Sequence, residues 1–361
     1  WPHPEQAGKP AADILQALGK FKATMAELTQ AAKDRPLCRF DIKYEAHFGA
    51  LLPHLATCRN LVRSFTLRAL AHLANDDPES ALADIRMCLF LAECIRDEPI
   101  LISQLVRVSC LQMALQPVWE GLQGEDWNPE QLVDIEKQLA AIDLLEGYRI
   151  SILGEREIAN LAIAQWHGNP KLMEEQLTPL EGEPSVVIDA ASSDWIYQNQ
   201  MRLNEMHVKY SQRVVDTRAR RIHPDIAATF EAKIEERKTK PHYVLSSMLL
   251  PSVDKMATRI GHVQVALDHA RIACLLELHK LEHKKYPAKL TDLKTPLPND
   301  PYNGKPYVYK PDPKGQYELY GVGRNQKDDG GKVALKDKGR LNLEEGDLVW
   351  RYSAQSVPKR K

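Results

Sequence analysis

The sequence lacks any uninterrupted apolar run near the roughly 20 residues that span a bilayer. Its longest uncharged apolar stretches run from Val108 to Trp119 and from Ile158 to Pro170. It also lacks charge of one dominant sign: 48 Lys and Arg against 49 Asp and Glu leave a net charge of -1, which excludes the global basic field of a general nucleic-acid binder. No GxSxG, P-loop or dinucleotide-binding glycine string occurs. Gly321-Val322-Gly323 is followed by Arg324-Asn325 rather than by a helix start, so nucleotide chemistry is not expected. None of the six cysteines has the CxxC spacing of a zinc or redox site. Cys58, Cys88, Cys94, Cys110 and Cys274 fall in apolar, helical-looking stretches and read as buried small hydrophobes; a structural disulfide of Cys38 with Cys58 is the other reading. The chain starts at Trp1 rather than Met, and a signal peptide or membrane anchor upstream is expected.

What is present is the balance of an ordinary globular protein, 43% hydrophobic and 27% charged over 361 residues, long enough for two domains at about 150 residues each. All 12 histidines and all six cysteines lie at or before His283, whereas seven of the 12 tyrosines lie after it. That shift separates a helical body, residues 1–250, from a tail of different character, residues 251–361, that opens on a long helix. In the body Ile14, Leu15, Leu18, Phe21 and Met25 repeat every three to four residues, as do Leu67, Leu70 and Leu73 and then Leu82, Ile85 and Leu89. Asn75-Asp76-Asp77-Pro78 and Asn128-Pro129-Glu130 supply capping oxygens followed by a first-turn proline.

Leu70 to Ala92, with Ala69 and Ala81 at a close helix crossing, has the shape of a tetratricopeptide-like hairpin without the aromatic positions of a true repeat. Residues 168–193, with Pro170, Pro179 and Pro184, read as a long loop. Helices are expected again over 195–220, 226–238 and 254–284.

After Tyr286-Pro287 the sequence turns to short strands. Tyr307-Val308-Tyr309 and Gln316-Tyr317-Glu318-Leu319-Tyr320 flank a turn, and Leu348-Val349-Trp350-Arg351-Tyr352 supplies a last strand. The fold class expected is mainly α, an irregular helical body followed by a small α+β unit with a short antiparallel sheet.

The order of motifs from residue 255 to 352 is specific. A long helix precedes Tyr286-Pro287, then Pro298-Asn299-Asp300-Pro301, Gly304-Lys305-Pro306-Tyr307-Val308-Tyr309, Leu319-Tyr320-Gly321-Val322-Gly323, an acidic Gly-rich loop and Asp347-Leu348-Val349-Trp350. This string resembles the C-terminal half of the type II secretion major pseudopilins. The whole chain is similar to a group of planctomycete and verrucomicrobial proteins, without assigned activity, that join such a tail to a helical body and an N-terminal anchor.

The pseudopilin resemblance implies a structural calcium site, with Asn325 at an aspartate position, Asp328 and Asp329 before Gly330-Gly331, and Asp347 closing the loop. Asn325 keeps an oxygen ligand but removes a charge, which weakens affinity. The loop from Gly331 to Asp347 is longer and richer in lysine than the family pattern. Apart from the resemblance, Asp-Asp-Gly-Gly either turns carboxylates and carbonyls inward on a hard cation or solvates a tight turn.

A rival chemistry lies in His279-Lys280-Leu281-Glu282-His283, an HxxEH string in which His279 and His283 share a helix face and Glu282 could act as general base of a zinc-dependent hydrolase. Its third ligand is not specified. Glu155 with Glu157 and Glu174 with Glu175 point to different helix faces and read as solvated acids, and Arg218-Ala219-Arg220-Arg221 as a basic helix face. The functional expectation is therefore a non-enzymatic, extracytoplasmic binding or assembly protein of the cell envelope, with a protein partner, no nucleic acid and a calcium-holding tail.

Overall fold

The computed structural model describes residues 9–167, 169–177, 192–313 and 315–352. It is mainly helical, with short antiparallel sheets concentrated near the C-terminus. No described helix is long and apolar enough to cross a membrane.

Two short helices, α1 (Pro10–Gly19) and α2 (Lys22–Asp34), precede a non-helical segment, 35–43, and a 3-10 turn at Tyr44–Gly49. The body proper begins with the hairpin of α3 (Pro53–Ala74) and α4 (Pro78–Glu93). Proline opens both helices, and Asp77 accepts the Ser80 N–H at 3.1 Å, so the caps sit where the sequence places them. Ala69 and Ala81 are fully buried. Next, α5 (Leu101–Gln123) packs on both helices of the hairpin. A capping box of Asn128 and Gln131 starts α6 (Pro129–Ala140), and α7 (Leu144–Trp166) follows.

Two stretches of the helical body differ from expectation. Pro170–Leu177, read as loop, is a helix, α8: its proline fits the first turn, Asn169 caps the Leu172 N–H, and Met173 and Leu177 bury against Trp166. The remainder of that stretch, 168 and 178–191, lies outside the described residues. The helix expected over 195–220 is α9 (Ser193–Lys209), after which the chain turns into a two-stranded ribbon, β1 (Val215–Asp216) with β2 (Arg221–Ile222). Asp216 accepts the N–H groups of Arg218 and Ala219, each at 2.9 Å, and this local turn competes successfully with helix continuation. Helices α10 (Pro224–Arg237) and α11 (Val244–Leu249) complete the body.

The 31-residue helix α12 (Val253–His283) is the axis of the molecule. One side contacts α5, α6, α7 and α10, and it also meets the tail sheets. Eighteen of its 31 residues are buried, Thr258, Gln264, Asp268, His269 and Glu277 among them, so it is a helix covered over most of its circumference rather than a purely apolar one. Lys284, in the left-handed conformation, ends it. The tail sheet has the order β3 (Val308–Asp312), β4 (Gln316–Gly321), β7 (Leu348–Tyr352), all antiparallel, with Leu319 opposite both Tyr309 and Trp350. These are the three strands legible in the sequence.

A second hairpin, β5 (Val333–Leu335) with β6 (Leu341–Gly346), occupies what had read as a lysine-rich loop. Lysines at 332 and 336 alternate with Val333 and Leu335, which hides a short strand inside a polar stretch. One continuous apolar core runs from Met25 through α3 to α7 and α12 to Tyr317 and Trp350. The tail is built on the body's own core helix.

Candidate functional site

The tail and body are joined by buried polar contacts. Asp300, 1% exposed, accepts the N–H groups of Tyr302 and Val322, both at 2.8 Å, and so ties the Pro-Asn-Asp-Pro turn to the end of β4. Tyr302 then lies buried on α12, where Gly261 leaves room for its ring: a Cβ at 261 would collide with the Tyr302 hydroxyl. Arg221 donates to the carbonyls of Pro301 at 3.3 Å and Tyr302 at 3.0 Å, and Arg220 pairs with Asp143 at 2.7 Å. The basic run at 218–221 is thus a hairpin that fastens tail to body, not a helix face.

A second junction sits deeper. Asp268 on α12 accepts the Tyr307 hydroxyl at 2.8 Å and the Gln264 amide at 3.0 Å, while Gln264 Oε1 accepts the Leu144 N–H at the start of α7 at 2.9 Å. Burial pushes the Asp268 carboxyl up to about 6, against the lowering effect of those two donors. Sequence reasoning missed this network, since its members are up to 163 positions apart (Leu144 to Tyr307).

The four residues assigned to calcium come together in the loop after β4. Asp347, buried, accepts the Asp329 N–H on Oδ1 at 3.2 Å and the Gly331 N–H on Oδ2 at 2.7 Å. Asn325 donates its amide to Asp329 Oδ2 at 2.9 Å. Asp328 Oδ1 accepts the Tyr320 hydroxyl at 3.1 Å and the Gly330 N–H at 2.9 Å. Gly330 and Gly331 have φ of 75° and 82°, and a Cβ at 331 would press on the Glu318 carboxylate. Burial raises the Asp347 carboxyl, opposed by its two N–H donors and reinforced by Asp328 and Asp329.

The donor chemistry, three carboxylates and an amide among carbonyls, suits a hard cation. As arranged, the side chains close the loop on its own backbone. Among the described residues no group of three or more His, Cys, Asp and Glu is placed to hold a metal ion.

At the HxxEH string the two rings lie 4.3 Å apart between centroids, and the His279 Nδ1–H donates to the Lys285 carbonyl at 3.0 Å. Glu282 and His283 are exposed. No third ligand converges on them among the described residues. His262 and His269, further back on α12, are held neutral by burial, His269 down to about 3. Glu155 is not a solvated acid: it accepts the Leu101 N–H at 2.8 Å and so caps α5, which has no cap of its own. Glu174 and Glu175 are exposed on α8.

No family model, curated protein or solved structure matches this chain.

The body carries a further feature that sequence reasoning passed over. On α9, Tyr197, Met201 and Val208 are 56%, 66% and 53% exposed. At 100° per residue these positions fall within about 40° of one another, so they form one stripe about 16 Å long. The amides of Asn160, Gln200 and Asn204 bond to one another beside it, and the Arg202–Glu205–Lys209 ion pairs lie on the same helix. The periodicity of α9 was visible; which face packs on α7 was not.

Proposed function

We propose that this protein is a non-enzymatic binding or assembly component of the cell envelope, placed outside the cytoplasm, which receives a partner protein on its helical body. The observation that carries this reading is the apolar stripe of α9. Large apolar side chains left in water at helical spacing, bordered by fixed amides and ion pairs, match the way one helix accepts another. The partner surface that suits it is an amphipathic helix with apolar anchors three or four residues apart.

Calcium enters the proposal through the pseudopilin resemblance and the oxygen-rich loop of Asn325, Asp328, Asp329 and Asp347. A cation there would brace the loop rather than react, and a site with this little charge suits the millimolar calcium of extracellular spaces. The zinc-dependent hydrolase reading has the His279 and His283 pair in its favour and lacks a third ligand among the described residues.

Panning a displayed library of amphipathic helices against the protein tests the binding role. Sequences enriched on the wild type that lose at least about tenfold in affinity on the M201E/V208E variant support it, since removing apolar anchors at an interface centre has that size of effect. Equal enrichment on both surfaces refutes it.

A further inference from the structure

A cavity of about 880 Å³ lies between the segment 36–45 and the turn that follows α4. The segment acts as a strap across it, fixed at one point by Phe40, whose ring stacks on His54 at 4.1 Å. His54 Nε2 is in turn 2.8 Å from Glu98, whose other oxygen accepts the Ser103 hydroxyl at 2.5 Å. Two sulfurs face the same space. Cys38, exposed on the strap, and Cys94, half-buried at the end of α4, both line the cavity, with Cys38 near enough to perturb the Cys94 thiol. Cys58, the partner of Cys38 in the alternative sequence reading, is buried on α3, and Cys88, Cys110 and Cys274 are also buried. All six cysteines are free.

We propose that Cys38 and Cys94 are a reversible redox pair whose disulfide latches the strap over this cavity. The oxidant is a low-molecular-weight disulfide of the glutathione class. The exposed Cys38 thiolate attacks one sulfur of oxidised glutathione, forming a mixed disulfide and expelling one glutathione thiolate. Cys94, after losing its proton, attacks the Cys38 sulfur and expels the second. Two protein thiols are oxidised by two electrons, one oxidised glutathione is reduced to two molecules of glutathione, and the two cysteine protons end on those thiols.

The order follows from exposure, since Cys38 is open to a reagent and Cys94 is shielded. Burial, reinforced by the neighbouring Cys38, pushes the Cys94 thiol up to about 12, so ring closure is slow at neutral pH and accelerates about tenfold per pH unit as its thiolate fraction grows. The inference is independent of the α9 stripe.

The test equilibrates the full chain with oxidised and reduced glutathione, blocks remaining thiols, and maps the peptides without reduction. The expected result is loss of two thiols out of six, one Cys38–Cys94 linkage, and regeneration by excess glutathione. C94S should stop at a persistent glutathione adduct on Cys38, and C38S should leave Cys94 reduced. Trypsin cleavage after Arg39 and Lys43 should slow by at least about fivefold in the oxidised protein, as expected when local opening of the strap is suppressed. A Cys38–Cys58 linkage, no thiol lost, or equal cleavage of the two forms would overturn the proposal. Circular dichroism of C38S/C94S checks that the fold persists, and the wild-type peptide map decides the linkage even if C94S does not fold.

Discussion

Asp268 offers the sharpest quantitative test of the structure. Its carboxyl rises from 3.8 to about 6 because it is buried between α12 and the tail, with Tyr307 and Gln264 donating to it. The folded protein therefore holds this proton more tightly than the unfolded chain. The favourable contribution is complete below about pH 4 and is lost as pH climbs through about 6, where the folded state must carry a buried charge. A rise of this size corresponds to about 3 kcal/mol between the two limits.

Asp268→Asn removes the titration and keeps the shape. It leaves one carbonyl oxygen for two donors and carries a fixed cost of about 1–3 kcal/mol for the mismatched hydrogen bond. Urea unfolding of wild type and variant at pH 4, 5, 6 and 7 separates the two effects. The variant should be the less stable protein at pH 4, and its stability relative to wild type should rise by about 2.4 kcal/mol by pH 7, the share of the full shift that falls inside this window. Other buried acids such as Glu277 and Asp300 shift the absolute curves and cancel in the difference. A gap constant within about 0.5 kcal/mol across the series would mean that Asp268 does not titrate in this window, and the buried junction as described would be wrong.

Three further outcomes are expected. Gly261→Ala gains about 1 kcal/mol of helix propensity yet should lower stability by about 2–4 kcal/mol, because the added methyl meets the Tyr302 hydroxyl and Ile222; a stabilised variant in thermal melts would show that Tyr302 does not sit on α12. Asp347→Asn should cost about 1–3 kcal/mol through one of the two N–H groups, on Asp329 or Gly331, losing its acceptor. Millimolar calcium should raise the melting temperature of the wild type and not of this variant, and a wild type unmoved by calcium would remove the cation from the proposed function. Arg221→Ala should destabilise by about 1–2 kcal/mol and speed amide exchange near Tyr302, whereas an unchanged exchange pattern would contradict the hairpin's role in fastening the tail.

The sequence by itself determined the helical body, its caps at Asp77 and Asn128, the long helix ending near His283 and the three strands of the tail sheet. Each is a local decision: a proline and a capping oxygen side by side, or an apolar period of 3.6 or 2, act over a few residues and need no distant partner. Tertiary structure decided the rest. Arg221 became a clamp because Pro301 and Tyr302 came to lie beside it, and Glu155 became a cap because α5 starts against α7. Asp268 lost water only when Tyr307 covered it, and Cys38 came to share a cavity with Cys94 because the strap crosses the end of α4. Those meetings depend on loop closure over tens to hundreds of residues, and the residue types involved are equally at home on a solvated surface. The same limit holds for α9, whose stripe of Tyr197, Met201 and Val208 has the spacing of a core face. Packing on α7 left that face outside.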